Sequence, residues 1–539
     1  MAAEKLPEHV IALEDRRAYP HAPATVELVQ THISYVFLAG DEVFKLKKPV
    51  DLGFANFTTL EKRKEACEAE VRLNRRGCPG SIYLGVVTVT KEDPNLPLKG
   101  RASPAYRIGG SGEVVDYAVH MKRLPADRMM DHLLEQGPVS FDMIGRVAGR
   151  LTELHEGADR GPHISAIGGP EQFRFDWEEN LAQIEPFVAR TLSRKRYEAI
   201  KRYAEEKLAR EFAYIQERED QGWVRDCHGD LRSDAVCFDD EVPGGICIYD
   251  CIEFNERFRY IDTALDAAFL AMDLDYRGHA DLSDLFIGLY AASIGDAGLP
   301  LLLHFYKAYR AVVRGKVESF LLDDPFVPMK QKTAARKRAR AYFDLAEGYA
   351  MRPGFGGAVL VTGPSGSGKS VLSGALASRV GAALLSTDVV RRDLFGRRTG
   401  ARDDLGQGRY TPDNREQVYS EMLSRAEGLL AAGRPVVIDG TYITKDRRAP
   451  MLATIRSAGA PLLIVECAAP DDVVRGRQEQ RAGEAWTASE GRYEIYEQQK
   501  REVEPADEVP AAERLAMDTS RDMGDQLEAV TTKPGLSRR

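Results

Sequence analysis

The sequence predicts two folds in one chain: an α+β N-terminal part and an α/β C-terminal part with a parallel sheet. Three observations predict it. Up to about residue 125, short runs alternate apolar and polar positions, and from about 140 to 345 the pattern is mainly helical. From Ala358 onward strand-like and helix-like segments alternate. Within that stretch Gly363-Pro364-Ser365-Gly366-Ser367-Gly368-Lys369-Ser370 fills every defined position of G-x-x-x-x-G-K-[ST]. A chain of 539 residues exceeds what one hydrophobic core supports. The expected division is 25–345, a Pro/Gly-rich linker at 346–357, a second domain at 358–530 and a flexible tail at 531–539.

Each element has its own signal. His32–Leu38 and Glu42–Lys47 flank Ala39-Gly40-Asp41 and read as a hairpin. A charged helix with apolar positions at Leu60, Ala66, Val71 and Leu73 is expected over about 59–76. Strands follow near 82–89 and 114–121, then helices from about 140 to 219. A small β patch is expected at 224–238 and 245–252, with helices from about 261 to 347. Ala358–Thr362, Ala382–Leu385, Pro435–Asp439 and Leu462–Cys467 are short apolar runs suited to a parallel sheet covered on both faces.

Composition excludes some classes. The formal charge is −9 and the pI near 5.8, which argues against a sequence-independent nucleic-acid binder. A local basic pocket for a phosphorylated substrate stays open. No apolar run approaches the roughly 18–20 residues needed to cross a bilayer. Met1–Glu8 lacks the basic start and apolar core of a signal peptide, so a cytoplasmic location is expected. Seven scattered cysteines form no disulfide framework, and Cys247 and Cys251 read as buried thiols.

The glycine-rich loop lies between a strand and a helix, where converging N–H groups and the helix N-terminus bind phosphate. Lys369 should reach the β- and γ-phosphates of ATP, and Ser370 should ligate Mg²⁺. Asp388 and Arg391 follow the second strand, three residues apart and on one side of a starting helix. They suit a base and an anion holder, or simply a helix cap and a solvated arginine. Asp439, at the end of the third strand, suits a Mg²⁺ ligand or is a generic strand-end acid. Arg475, Arg477 and Arg481 lie on a helix that is either a closing lid or a solvated basic surface. Together these segments resemble the small P-loop kinases over roughly 356–520, among them gluconate kinases, polynucleotide 5′-kinases and zeta-toxin-like kinases. The resemblance implies Asp388 as base and Arg391 as acceptor ligand. Arg481 is assigned to handling anionic charge.

The N-terminal half carries a second constellation. His228-Gly229-Asp230-Leu231 is followed by an apolar strand ending in Asp250. Lys45 and Lys47 share one strand face, and either suits ATP phosphates. Glu70, ahead of Glu65 and Glu68, is the chosen acid partner on the next helix. In this order the residues fit a protein-kinase-like site. They resemble the aminoglycoside phosphotransferase family over roughly 25–345, which implies a two-lobed protein-kinase-like fold, Asp230 as base and Asp250 as metal ligand. The stretch Asp250–Arg257, with Asp262 and Asp266, resembles the subgroup fused to a P-loop kinase. Two departures stand out: the family's asparagine five residues after the base falls on Ala235, and no G-x-G-x-x-G joins the first strands.

The expected function is ATP- and Mg²⁺-dependent phosphoryl transfer to a hydroxyl of a small-molecule acceptor, with two kinase-like sites. A nucleotide-sensing protein with an idle N-terminal domain, an ATPase, and a polynucleotide or nucleotide-sugar kinase are the alternatives.

Overall fold

The computed structural model describes residues 6–80, 82–92, 105–137, 139–325, 327–396, 411–482 and 493–534. The chain forms two compact units. One comprises Met1–Val139, Glu153–Gly169 and Arg218–Asp266; the other comprises Ser140–Thr152, Pro170–Glu217 and Ala267–Arg539. The helices between 267 and 350 thus cluster with the parallel sheet, and the division drawn at 345 does not separate the two units. The linker drawn at 346–357 begins inside the helix Met329–Ala350. Of the drawn tail, 531–534 are described and 535–539 lie outside the described residues.

The first unit is built on an antiparallel sheet. Its strands are β1 (Val26–Gln30), β2 (Ser34–Ala39), β3 (Glu42–Lys47), β4 (Tyr83–Lys91), β5 (Tyr106–Ile108) and β6 (Glu113–Lys122). They lie in the order β1-β2-β3-β6-β4-β5. Ala39 pairs with Glu42, so the β2–β3 hairpin turns on Gly40-Asp41, and Gly40 supplies the positive φ of +67° that the turn requires. Alternation along β3 sends Phe44 and Leu46 into a core with Tyr35, Phe37 and Ala118. It leaves Lys45 and Lys47 on the opposite face, toward the helix Leu60–Gly77. Thr59 caps that helix by accepting the Lys62 N–H. Strands β1 and β5 have no counterpart in the sequence reading. β1 is a largely exposed edge without a strong apolar alternation, and β5 is three residues long.

The unit also contains β7 (Val224–Asp226), β8 (Val236–Cys237), β9 (Cys247–Ile248) and β10 (Tyr260–Asp262). β8 pairs with β9, and β7 with β10. Cys78 and Cys247 form a disulfide across 169 residues of sequence, which corrects the reading of Cys247 as a thiol. Spacing alone could not find the pair, because the fold brings the end of a helix to a distant strand. The other five cysteines, Cys251 included, are buried free thiols.

The second unit contains a parallel sheet in the order β12-β13-β11-β14-β15. Its strands are β11 (Ala358–Thr362), β12 (Ala383–Ser386), β13 (Val436–Asp439), β14 (Leu462–Ala468) and β15 (Arg514–Asp518). Every residue of β11, β12 and β13 is buried, as expected of strands covered on both faces. The edge strand β15 has no counterpart in the sequence reading, because Arg514 and Asp518 leave an apolar run of only three residues between them. The fold class is the expected one: an antiparallel β lobe with two further short strand pairs, and a parallel α/β sheet. Among the described residues no helix is long and apolar enough to cross a membrane.

Candidate active sites

In the second unit the phosphate loop joins β11 to the helix Lys369–Val380. Gly363, Gly366 and Gly368 all have positive φ, so the loop needs glycine at each of them. The Thr519 hydroxyl fixes the loop by donating to the Ser367 carbonyl (2.6 Å) and is itself held by Arg477 Nη1 (3.0 Å). Ser365 donates its N–H to Gln499 Oε1 at 2.7 Å, from the helix Tyr493–Glu502. Gln499 and Thr519 are distant in sequence from the loop, and no sequence signal points to either.

Asp439 ends β13 with its side chain buried. Its Oδ2 accepts from Ser386 Oγ at 3.0 Å, while its Oδ1 is buried without a hydrogen-bond partner. Burial pushes the Asp439 carboxyl above the usual range, with Lys369 pulling it back and Asp388 adding repulsion. A buried carboxylate oxygen left unpaired beside Lys369 and Ser370 fits Mg²⁺, which would supply the missing partner. Ser386 is also the N-cap of the helix Thr387–Phe395, accepting the Asp388 N–H. Asp388 and Arg391 face the same way, as their spacing requires, and Arg391 Nη1 donates to Asp388 Oδ1 at 2.7 Å. Arg475 is exposed and lies against the Tyr493 ring, whereas Arg477 turns inward to Thr519. Arg481 belongs to the helix Asp471–Ala482, and its side chain lies outside the described residues.

In the first unit five charged groups alternate in sign. Asp250 Oδ1 is 2.9 Å from Lys45 Nζ, which is 2.9 Å from Glu70 Oε1. Glu70 Oε2 accepts from Lys47, and Lys47 also meets Glu253. Glu70, not Glu65 or Glu68, is therefore the acid that meets the lysines. The two lysines differ. Lys47 is completely enclosed between Glu70 and Glu253, whereas Lys45 is 14% exposed and reaches the strand-end Asp250. Burial alone would lower the Lys45 ammonium, yet Asp250 and Glu70 hold it well above the usual lysine value. The Lys45 charge in turn holds Asp250 down, to about 2. Glu253 goes the other way, because burial outweighs its lysine partner. Asp250 thus stays an ionised carboxylate with 59% of its side chain exposed, which fits a divalent cation such as Mg²⁺.

The loop bearing Asp230 is held from below. Asp266, fully buried, accepts the N–H groups of His228 and Gly229 at 2.9 Å each and also meets His155 Nε2 at 3.0 Å. His228 Nε2 lies 2.8 Å from the Tyr249 carbonyl, which can only accept, so Nε2 carries the proton and Nδ1 accepts the Asp230 N–H. Gly229 has φ +91°, and a Cβ there would sit 2.7 Å from the Phe258 carbonyl oxygen. Here lies the physical reason for glycine in H-G-D. Asn74 performs a matching task beside Asp250: its Oδ1 accepts the Cys251 N–H at 2.9 Å. Asn74 did not stand out in the sequence, since it is an ordinary helix residue, and Glu253 lay in the quoted stretch Asp250–Arg257 without a role of its own.

The AAA domain family matches residues 359–506. A gluconokinase structure from Sinorhizobium meliloti is 19% identical, covering 33% of this chain and 90% of its own, with a TM-score of 0.24. A choline/ethanolamine kinase family protein from Mesorhizobium loti is 14% identical, covering 63% of this chain and 97% of its own, with a TM-score of 0.36. The "uncharacterized protein Rv2004c" of Mycobacterium tuberculosis is 33% identical over 460 residues, 85% of this chain and 86% of its own. With that identity over nearly the full length of both, the chain belongs to the same family as the mycobacterial protein Rv2004c.

Proposed function

We propose that the chain is an ATP-dependent phosphotransferase whose parallel-sheet unit moves the γ-phosphoryl group of ATP to a hydroxyl of a small molecule. The observation that carries this reading is the unpaired, buried Asp439 Oδ1 at the foot of the phosphate loop, beside Lys369, Ser370 and the Asp388–Arg391 pair. The loop N–H groups, Gly363 to Ser370, receive the phosphates and Lys369 neutralises them. Bound Mg²⁺, held by Ser370 and Asp439, supplies further positive charge. Asp388 accepts the proton of the attacking hydroxyl, and Arg391 then holds acceptor or product anion. Arg481 belongs with this charge on the adjoining helix. The acidic overall charge favours a small metabolite over a polynucleotide. The first unit is a second ATP site, with Lys45 toward the phosphates, Glu70 orienting it, Asp250 on the metal and Asp230 as base.

A reading in which the first unit binds nucleotide without transferring phosphate draws support from Ala235, which offers no metal ligand. Incubation of the full chain with γ-labelled ATP, Mg²⁺ and a metabolite pool tests both. Asp388→Asn should lower label transfer about 10²- to 10⁴-fold while leaving ATP binding intact. Transfer that survives in Asp388→Asn and vanishes in Asp230→Asn would assign the chemistry to the first unit instead. Retention of all nucleotide binding and transfer in Lys369→Ala would refute the phosphate-loop reading.

A further inference from the structure

We infer that the first unit is built to work with one divalent cation, the Arg232 guanidinium standing where a second would act. This rests on the reading that the unit binds ATP. The position five residues after Asp230 is Ala235, buried and without a donor atom in its side chain. The backbone there is tied: the Ala235 N–H donates to the Arg232 carbonyl at 3.0 Å, and the Ala235 carbonyl accepts from Tyr249 N–H at 3.0 Å. The chain is therefore not free to slide a neighbour into that place. The adjacent acid is already engaged, since Asp234 Oδ2 lies 2.9 Å from Arg232 Nη1. A second cation thus lacks its ligand, while Asp250 remains for the first.

Arg232 lies beside the base. Its Nε lies 3.4 Å from Asp230 Oδ1, and the side chain is only 17% exposed, braced between two carboxylates of its own loop. Phosphoryl transfer needs positive charge over the equatorial oxygens of the migrating group, and a guanidinium supplies it in a planar geometry matched to phosphate. In the step so described, the acceptor oxygen forms a bond to the γ-phosphorus as the bond to the β,γ-bridging oxygen breaks. ADP leaves with that oxygen, and Asp230 takes the hydroxyl proton. Arg232, next to the base, stabilises the charge that a second cation would otherwise neutralise. Ala235 then marks a site of altered design rather than a dead one.

Counting metal by electron paramagnetic resonance tests this on the full chain carrying Lys369→Ala, with Mn²⁺ and a non-hydrolysable ATP analogue. One Mn²⁺ per bound nucleotide is expected. Arg232→Gln should weaken nucleotide binding about 10- to 100-fold with the count unchanged, and Ala235→Asn should raise the count to two. Two Mn²⁺ per nucleotide in the Ala235 protein, or unaltered affinity in Arg232→Gln, overturns the inference and leaves the second ATP site standing. Absence of any nucleotide binding by the Lys369→Ala protein overturns both.

Discussion

Gly288 and Gly374 meet backbone to backbone: a Cβ on Gly374 would lie 2.9 Å from the Gly288 Cα, and one on Gly288 would lie 2.3 Å from the Gly374 carbonyl carbon. Gly374 belongs to the phosphate-loop helix and Gly288 to the helix Ala280–Ile294, so the helix behind the loop is fixed by a second helix from earlier in the chain. Asp284 adds polar bonds from the same helix, to Ser378 at 2.8 Å and to Arg379. Gly374→Leu should destabilise this unit by about 1–3 kcal/mol through overpacking. By contrast Gly428, in the helix Pro412–Ala431, has nothing near its would-be Cβ, and Gly428→Ala should stabilise by up to about 1 kcal/mol. Urea unfolding of both variants checks the pair, and equal effects would contradict the packing argument.

The two lysines of β3 should separate cleanly. Lys47→Met leaves Glu253 and Glu70 buried beside an apolar chain, and it should destabilise the first unit by about 3–5 kcal/mol. Lys45→Met should cost less stability, because Asp250 can turn to water, but should weaken nucleotide binding in the first unit. Denaturant midpoints together with nucleotide titration in the Lys369→Ala background distinguish them. The opposite pattern would make Lys47 the phosphate ligand.

His304 predicts a pH dependence. Its Nε2 lies 2.6 Å from Arg352 Nη1, which can only donate, so the ring is neutral with its proton on Nδ1. Burial, then the charges of Arg352, Lys307, Lys207 and Arg379, lower its pKa well below the usual histidine value. The unfolded chain therefore binds a proton below about pH 6.5 that the folded chain refuses. Stability is full above that pH and falls as the pH drops, by up to about 1.4 kcal/mol per unit. Raised carboxyls such as Asp284 and Glu253 act in the opposite direction, so the test is a difference. Between pH 7 and 5 the wild type should lose more stability than His304→Asn, and parallel curves would rule the argument out.

The Cys78–Cys247 bond ties the end of the Glu70 helix to the strand that leads into Asp250. With its ends 169 positions apart in sequence, chain entropy allows up to about 5 kcal/mol of stabilisation. Oxidised protein should unfold at higher urea than reduced protein, and Cys78→Ser should erase that gap. Mass analysis of alkylated, unreduced protein should find five modified cysteines out of seven. Seven modified would refute the bond.

Local chemistry was legible from the chain itself. The phosphate loop, the hairpin on Gly40-Asp41, the Glu70 helix and four of the five parallel strands each have a signal confined to a few neighbouring residues, because turns, periodicity and backbone cradles are short-range effects. Asp388 and Arg391 share a side for the same reason. What only the tertiary structure decided are relations between distant segments. It split the surroundings of Lys45 and Lys47, joined Cys78 to Cys247, brought Thr519 and Gln499 to the loop, and gave Asp266 its hydrogen bonds under H-G-D. None of these has a sequence signature, since each depends on which buried charge or backbone group lacks a partner once the core has closed. The chain by itself therefore determined the phosphate-loop pattern and the H-G-D stretch, and packing determined which side chains gather around each.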